Sequence, residues 1–514
     1  MAFVGTILQE VVRLRKTMQF AKSPFAHFTQ EKYLQKLLDT AKATSFGKTY
    51  GFNKLLKTKN VRKYFSQNIP AYHYDKINNE WWGYAQQGKE NVCWPGKINY
   101  FALTSGTSEA SSKKVPVSIE MIKAMRKTSM RQVYSLSQIK LPPKFYEKSS
   151  LMLGGSTALN KMGHYLEGDL SGILQANLPM WAHMFYKPGK EIALEKDWNK
   201  KLNQIMLDAN EWDIGLIAGV PAWYQLLFEK ITEHYQVENI HQIWPNLNVF
   251  IHGGVSFQPY KNSFSKYLGK EITYLETYLA SEGFLAYQDA GCKHMKLVLD
   301  NGIYFEFVPF NNLNFDEEGQ LNELPEIIPI EDVEEFKDYA ILISTCAGAW
   351  RYLIGDTIQF VSKSNNEIII TGRTKMFLNL CGEHLTVDNM NKAIRLTGEE
   401  LGIYINEYSV CGVPYKGFFA HHWYIGIEGA YANPQQIKEV LDKNLKKLND
   451  DYATERSAAL KDVLVDVLPL KIFYEWMDKN GKFGAQNKFP RVLKNDRLKD
   501  WQHFIKNHLL ITHA

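Results

Sequence analysis

The chain has 514 residues, with 60 Lys+Arg against 55 Asp+Glu and a formal net charge of +5. Apolar residues make up 45% and charged residues 22%, the balance of a folded globular protein, which excludes a disordered tail or a fibre. The small charge surplus lacks the footprint of a nucleic-acid binder, and no apolar run approaches the ~18 residues of a membrane-spanning helix.

The length is worth about three domains as a first prior. Five cysteines (Cys93, Cys292, Cys346, Cys381, Cys411) are scattered, without zinc spacing, and point to buried thiols in a reducing compartment. The N-terminus interleaves apolar and charged residues and lacks a signal-peptide pattern. These features place the chain in the cytoplasm as a large α/β protein.

Residues 1–45 read as helix, with Leu34, Leu37, Leu38 and Ala41 on one face. Residues 46–98 alternate short polar loops with Trp, Tyr and Pro. Tyr100–Leu103 reads as a strand entering the small-residue loop Thr104-Ser105-Gly106-Thr107-Ser108. Ser118 caps an expected helix to about residue 137, with Glu120 in its first turn. Strand-like runs follow at Ile214–Ala218, Val249–Ile251, Thr273–Leu275, Ile303–Val308, Ile341–Thr345 and Ile368–Thr371. Several precede helical patterns such as Trp223–Ile231, which predicts a mostly parallel sheet. A break near Gly372-Arg373 divides a large N-terminal domain, residues 1–371, from a smaller α+β domain, residues 372–514. In the latter, Asn433-Pro434 starts a helix with Ile437, Val440, Leu441, Leu445 and Leu448 on its apolar face, and Val463–Leu468 reads as a strand.

Six short motifs carry chemistry. Small residues at Thr104–Ser108 allow backbone N–H groups and hydroxyls to approach a phosphate, with Lys113 and Lys114 close behind; a flexible surface loop has the same composition. Gly253-Gly254 after a strand admits a flat ring or is a simple turn. In Tyr278-Leu279-Ala280-Ser281-Glu282 the ring can stack on a base and the carboxylate can hold Mg²⁺, or both can be ordinary packing and surface residues. In Tyr352-Leu353-Ile354-Gly355-Asp356 the carboxylate near a tight turn can bind ribose hydroxyls or serve the turn itself. The Gly-flanked basic stretch from Thr371 to His384, which follows a strand, fits an ordinary turn. Lys488 sits in a Pro-containing loop near the C-terminus, as a solvated lysine also could. There is no G-x-S-x-G, H-E-x-x-H or helix-opening G-x-G-x-x-G, and His421-His422 reads as a chance pair.

The ordered set T-S-G-T-S, G-G, Y-x-x-S-E, Y-x-x-G-D, T-G-R-x-K-x-x-x-N-x-x-G and a late Lys resembles the adenylate-forming superfamily. Within it the chain looks like a bacterial member of the auxin-responsive Gretchen Hagen 3 family, the acyl acid amido synthetases. Gln35–Phe52 and Pro95-Gly96-Lys97 are similar to that family's N-terminal segments. The resemblance implies a luciferase-like α/β fold: a large N-terminal domain of α/β subdomains and a small α+β C-terminal lid. It implies ATP and Mg²⁺, a small carboxylic acid and an amino acid as substrates, no nucleic acid, no membrane, and a monomer or weak homodimer.

By the same resemblance, Thr104, Ser105, Gly106, Thr107 and Ser108 would grip the phosphates. Gly253, Gly254 and Tyr278 would frame adenine, with Ser281, Tyr352 and Arg373 completing the nucleotide site. Asp356 would bind the ribose, Glu282 would hold Mg²⁺, and Lys488 would reach the α-phosphate. Thr371–Gly382 would be the hinge, with Lys375 the residue that turns. Two departures bear on the acceptor and the acid. Ser111-Ser112-Lys113-Lys114 replaces the Pro-Lys ending of acyl-CoA synthetases, which favours an amido synthetase over a thioester ligase. Leu353 stands where plant members commonly have Arg, which leaves the acid open. A non-catalytic nucleotide-binding relative is the remaining reading, and it would require loss of Glu282, Asp356 or Lys488.

Overall fold

The computed structural model describes residues 2–19, 26–104, 113–254, 257, 260–316, 319–374, 377–378, 380, 383, 385–416, 418–429, 432–457, 460–480 and 489–511. The chain forms two compact units. The first comprises Met1–Val255, Tyr267–Asn314 and Glu323–Ile369; the second comprises Ser256–Lys266, Phe315–Asn322 and Ile370–Ala514.

The first unit is built on an eleven-stranded sheet. Its spatial order is Ile303–Pro309, Asp338–Thr345, Tyr352–Ser362, Glu367–Arg373, Met295–Leu297, Gly283–Gln288, Thr273–Ala280, Val249–Gly253, Ile214–Gly219, Ser149–Met152 and Tyr186–Lys187. The expected parallel sheet is only half right. Pairing is parallel from Tyr186–Lys187 through Thr273–Ala280 and antiparallel from there through Gly283–Gln288 and Met295–Leu297. The switch comes at Ser281-Glu282, where Ala280 pairs with Gly283 and the chain doubles back as a hairpin. Strands covered on both faces read as continuous apolar runs in either orientation, so composition does not distinguish them.

A four-stranded sheet orders Lys113–Val117, Tyr100–Thr104, Tyr165–Gly168 and Asn160–Met162. The helix Ile119–Ser135 begins where expected: Ser118 Oγ accepts from Met121 N at 3.0 Å and donates to the Cys346 carbonyl at 2.6 Å. Residues 46–98, read as loops, instead hold short helices, among them Ser45–Thr49, Phe52–Leu55 and Val61–Asn68. Each is too short to show helical periodicity. They are held by aromatic packing, with Phe46 stacked 5.7 Å from Trp350 and Phe52 edge-on to the same ring at 4.8 Å.

The second unit is α+β. The strand Phe418–Ile427 is central, antiparallel to Ile405–Tyr415 and parallel to Leu460–Pro469. Asn433 caps the helix Pro434–Leu448 by accepting from Gln435 N at 2.9 Å. That helix buries Ile437, Leu441 and Leu445 fully, with Val440 and Leu448 half-buried beside them. Among the described residues, no helix is long and apolar enough to cross a membrane.

Candidate nucleotide site

Gly253 and Gly254 stand at the carboxyl end of a parallel strand, where open α/β sheets bind ligands. Gly253 lies beside Thr277 on the neighbouring strand, and Thr277 Oγ1 donates to the His252 carbonyl at 3.1 Å. A Cβ on Gly253 would lie 2.4 Å from Thr277 Oγ1 and 2.7 Å from the Thr277 carbonyl oxygen. Gly254 has φ of +82°, which favours glycine. The strand end is therefore bare backbone, as a flat ligand requires. Burial pushes the His252 imidazole down to about 4, so it adds no cation here at neutral pH. We expect Gly253→Ala to force these strands apart, at a cost of about 1–3 kcal/mol. Chemical unfolding checks this, and an unchanged stability would mean the close approach is slack.

Tyr278 and Asp356 come from motifs far apart in sequence, yet Tyr278 Oη donates to Asp356 Oδ2 at 2.7 Å across a separation of 78 residues. The backbone at Asp356 is a bulge. Ala340 pairs with Thr357 and Leu342 with Leu353, so Ile341 alone faces Ile354, Gly355 and Asp356. Gly355 has φ of +89° within it. Bulges of this kind re-aim a side chain out of the ladder.

Arg351, which the motif reading passed over, pins the start of that strand. It is buried at φ +44°; its Nε donates to Glu306 Oε2 at 2.9 Å, and its Nη1 donates to the Ser66 carbonyl at 2.7 Å and the Ile69 carbonyl at 2.5 Å. Tyr72 then bridges it: Tyr72 N donates to the Arg351 carbonyl and Leu353 N to the Tyr72 carbonyl, both at 2.8 Å. The Tyr352 ring is buried in the core, 5.2 Å from Trp82.

Glu282 lies in the hairpin turn after Tyr278 and is 8% exposed, with Ser281 half-buried beside it. Among the described residues no three His, Cys, Asp or Glu side chains converge on one point. The single carboxylate of Glu282 is a donor of the kind Mg²⁺ takes, since that ion uses one or two carboxylates and completes its shell with water and nucleotide phosphate oxygens.

The segment expected from the sequence to meet phosphates is flanked by paired strands, because Thr104 pairs with Lys113. Ser105, Gly106, Thr107 and Ser108 lie outside the described residues, as do Lys375 and Lys488. Lys114 is occupied rather than a spare phosphate cation. Its Nζ pairs with Glu167 at 2.8 Å and donates to Tyr165 Oη at 3.0 Å. Arg373 is exposed at the end of its strand. His421 and His422 face opposite sides of theirs, on Glu383 and Asp466 respectively, each at 2.9 Å.

Family models match most of the chain. The GH3 family N-terminal domain matches residues 14–162 and 125–272, the GH3 family central domain residues 296–370, and the GH3 family C-terminal domain residues 388–497. The chain belongs to the GH3 family. An indole-3-acetic acid-amido synthetase of Arabidopsis thaliana, GH3.4, is 25% identical over 280 residues, 49% of this chain and 45% of that protein. GH3.3 of the same plant is 24% identical over 281 residues, and this match too spans about half of this chain and 45% of the relative. Among solved structures, the GH3.15 acyl acid amido synthetase superposes with a TM-score of 0.75 at 16% identity, covering 95% of both chains. A 2-hydroxyisobutyryl-CoA ligase in its postadenylation state gives 0.60 at 11% identity, covering 94% of this chain and 91% of that one. These likenesses show that the GH3 chain has the fold of adenylate-forming enzymes.

Proposed function

We propose that this GH3-family chain is an ATP-dependent acyl acid amido synthetase. A carboxylate is inert to amines because its negative charge repels them. Its oxygen attacks the α-phosphorus of ATP, pyrophosphate leaves, and the acyl-adenylate carries AMP as leaving group. An amino-acid amine then attacks the acyl carbon, AMP departs, and the amine loses a proton to give the amide. The observation that carries this reading is the Tyr278–Asp356 hydrogen bond, because it joins two of the six motifs at one point.

The residue roles belong to the proposal. Gly253 and Gly254 leave room for adenine beside Tyr278, with Ser281 and Arg373 around the nucleotide, whereas the Tyr352 ring packs in the core against Trp82 and supports the strand. Asp356 accepts from the ribose hydroxyls, and Thr104 to Ser108 donate to the phosphates. Glu282 would hold Mg²⁺, which neutralises phosphate charge when bound. Lys488 belongs to the C-terminal domain, residues 372–514, which acts as a lid on the N-terminal domain, residues 1–371. Thr371–Gly382 is its hinge, with Lys375 the residue that turns. ATP and free amino acids are substrates of the cytoplasm, where we propose the enzyme works.

Tyr278→Phe tests the contact at its centre. Losing one hydrogen bond to a charged group costs about 1.5–3 kcal/mol, so KM for ATP is expected to rise roughly tenfold or more with kcat less affected. Wild-type ATP kinetics would make the Tyr278 hydroxyl a bystander. For the reaction itself, a screen of carboxylic acids against amino acids following pyrophosphate release, with CoA as a parallel acceptor, tests the class. Mass spectrometry separates an amide from a thioester, and CoA-dependent AMP formation without amide refutes the proposal.

A further inference from the structure

The N-terminal helix Ala2–Gln19 has two opposite faces with different tasks. Its inner face is fastened to the first unit at both ends. Gly5 N donates to Glu147 Oε1 at 2.6 Å, and Lys16 Nζ pairs with Asp289 Oδ1 at 2.6 Å with both side chains buried. A Cβ on Gly5 would lie 2.3 Å from the Pro143 carbonyl oxygen, so the backbone is pressed close there. The outer face carries Val4, Ile7, Val11 and Leu14, which are 55%, 47%, 45% and 58% exposed. A row of large apolar side chains this open is a contact surface rather than a solvated face.

The order of these residues selects the occupant. Positions 4, 7, 11 and 14 follow the alternating spacing of a heptad seam, with Val4 and Val11 at a and Ile7 and Leu14 at d. Val at both a positions with Leu14 at the second d position favours two parallel strands, while Ile7 at the first d position does not add to that preference. In the same register Glu10 falls at g and Arg15 at e of the next heptad, both exposed and flanking the seam on opposite sides. A parallel pair sets each g against the partner's following e, so Glu10 of one copy meets Arg15 of the other, twice. An antiparallel pair would set g against g, and Glu10 against its own copy. Within its own helix Glu10 has an exposed pair with Arg13 at 3.6 Å, which is worth little. An isolated helix of this length is too short to dimerise by itself, but one already held to a folded body has its ordering cost met.

We propose that the outer face of Ala2–Gln19 binds the same face of a second copy of this chain, in parallel and about a two-fold axis. The inner face lies opposite the seam, so the two bodies stand on opposite sides of the helix pair. The contact is isologous and closed, and it stops at two copies.

Sedimentation equilibrium of the full chain across the micromolar range tests this. A reversible dimer is expected, and Val11→Glu is expected to be monomeric. Glu10→Arg and Arg15→Glu should each weaken the dimer about tenfold, since each breaks two pairs and opposes like charges. Combining them should restore it, and both positions are exposed, so folding is spared. Val11→Cys should cross-link its own copy on mild oxidation, because a positions face each other in a parallel pair. A wild-type monomer throughout overturns the proposal, as does a dimer indifferent to Val11→Glu or a double charge reversal that fails to recover. Flotation of a monomeric wild type with phosphatidylcholine–phosphatidylserine vesicles, lost in Val11→Glu, also overturns it and assigns the face to a lipid surface.

Discussion

Lys488→Ala is expected to lower pyrophosphate release about a thousandfold, some 4 kcal/mol of transition-state stabilisation, while ATP binding changes only a few-fold. The asymmetry follows from where charge appears. In the ground state the α-phosphate shares its charge along the polyphosphate. In the transition state an incoming carboxylate oxygen and a departing pyrophosphate crowd negative charge around one phosphorus, and a lysine poised there acts mainly at that moment.

The residues just after Lys488 are well suited to hold such a lysine. Phe489 is buried among Phe473, Trp476 and Trp501. Ser409 Oγ donates to the Pro490 carbonyl at 2.6 Å, Val410 N donates to the Arg491 carbonyl at 2.9 Å, and the Arg491 guanidinium pairs with Glu407. Phe489 to Arg491 are thus tied to the strand Ile405–Tyr415 of the second unit. Single-turnover measurement of each half-reaction makes the test specific. Amide formation from a supplied acyl-adenylate should survive in the variant, whereas wild-type pyrophosphate release would sink the assignment.

What the amino-acid order revealed divides along the range of the interactions involved. Ser118 and Asn433 were readable as helix caps because a cap joins residues a turn apart. Glycines were readable at 254 and 355 because their conformational freedom is their own. The contact between Tyr278 and Asp356 was not readable from the residues alone; each motif fits an ordinary turn or core residue. Only their common order, through family resemblance, suggested that they share a site.

Arg351 escaped notice for a related reason. Its partners Ser66, Ile69 and Glu306 are remote in sequence, and a lone arginine before an apolar strand has no local signature. Lys114 shows the converse, since charge near a small-residue loop suggested a phosphate and the fold gave that charge to Glu167. Sheet direction fails for the same reason: the hairpin at Ser281-Glu282 lacks the Asn-Gly or Asp-Gly signal of a tight turn, and its composition suggested chemistry instead.

Glu282→Gln is expected to reduce adenylation about a thousandfold, and raised Mg²⁺ should not restore it. The substitution keeps the shape of the side chain and removes its charge, so it separates the two readings of a buried carboxylate. Burying a carboxylate is costly unless a cation or donors compensate. If Glu282 only shaped the hairpin, the neutral isostere would retain activity. If it holds Mg²⁺, the linkage between ligand and fold should disappear. MgATP raises the melting temperature of a protein that binds it in the folded state, in proportion to the logarithm of ligand concentration over Kd. The wild type should show that rise and Glu282→Gln should lose most of it, whereas ATP without Mg²⁺ should act alike on both. Rescue of the variant at high Mg²⁺ would reduce Glu282 to a supporting role, because a ligand that supplies the decisive charge cannot be replaced by more of the ion it binds. Since no group of three or more His, Cys, Asp or Glu side chains gathers among the described residues, the loss should not be made up from elsewhere in the described fold.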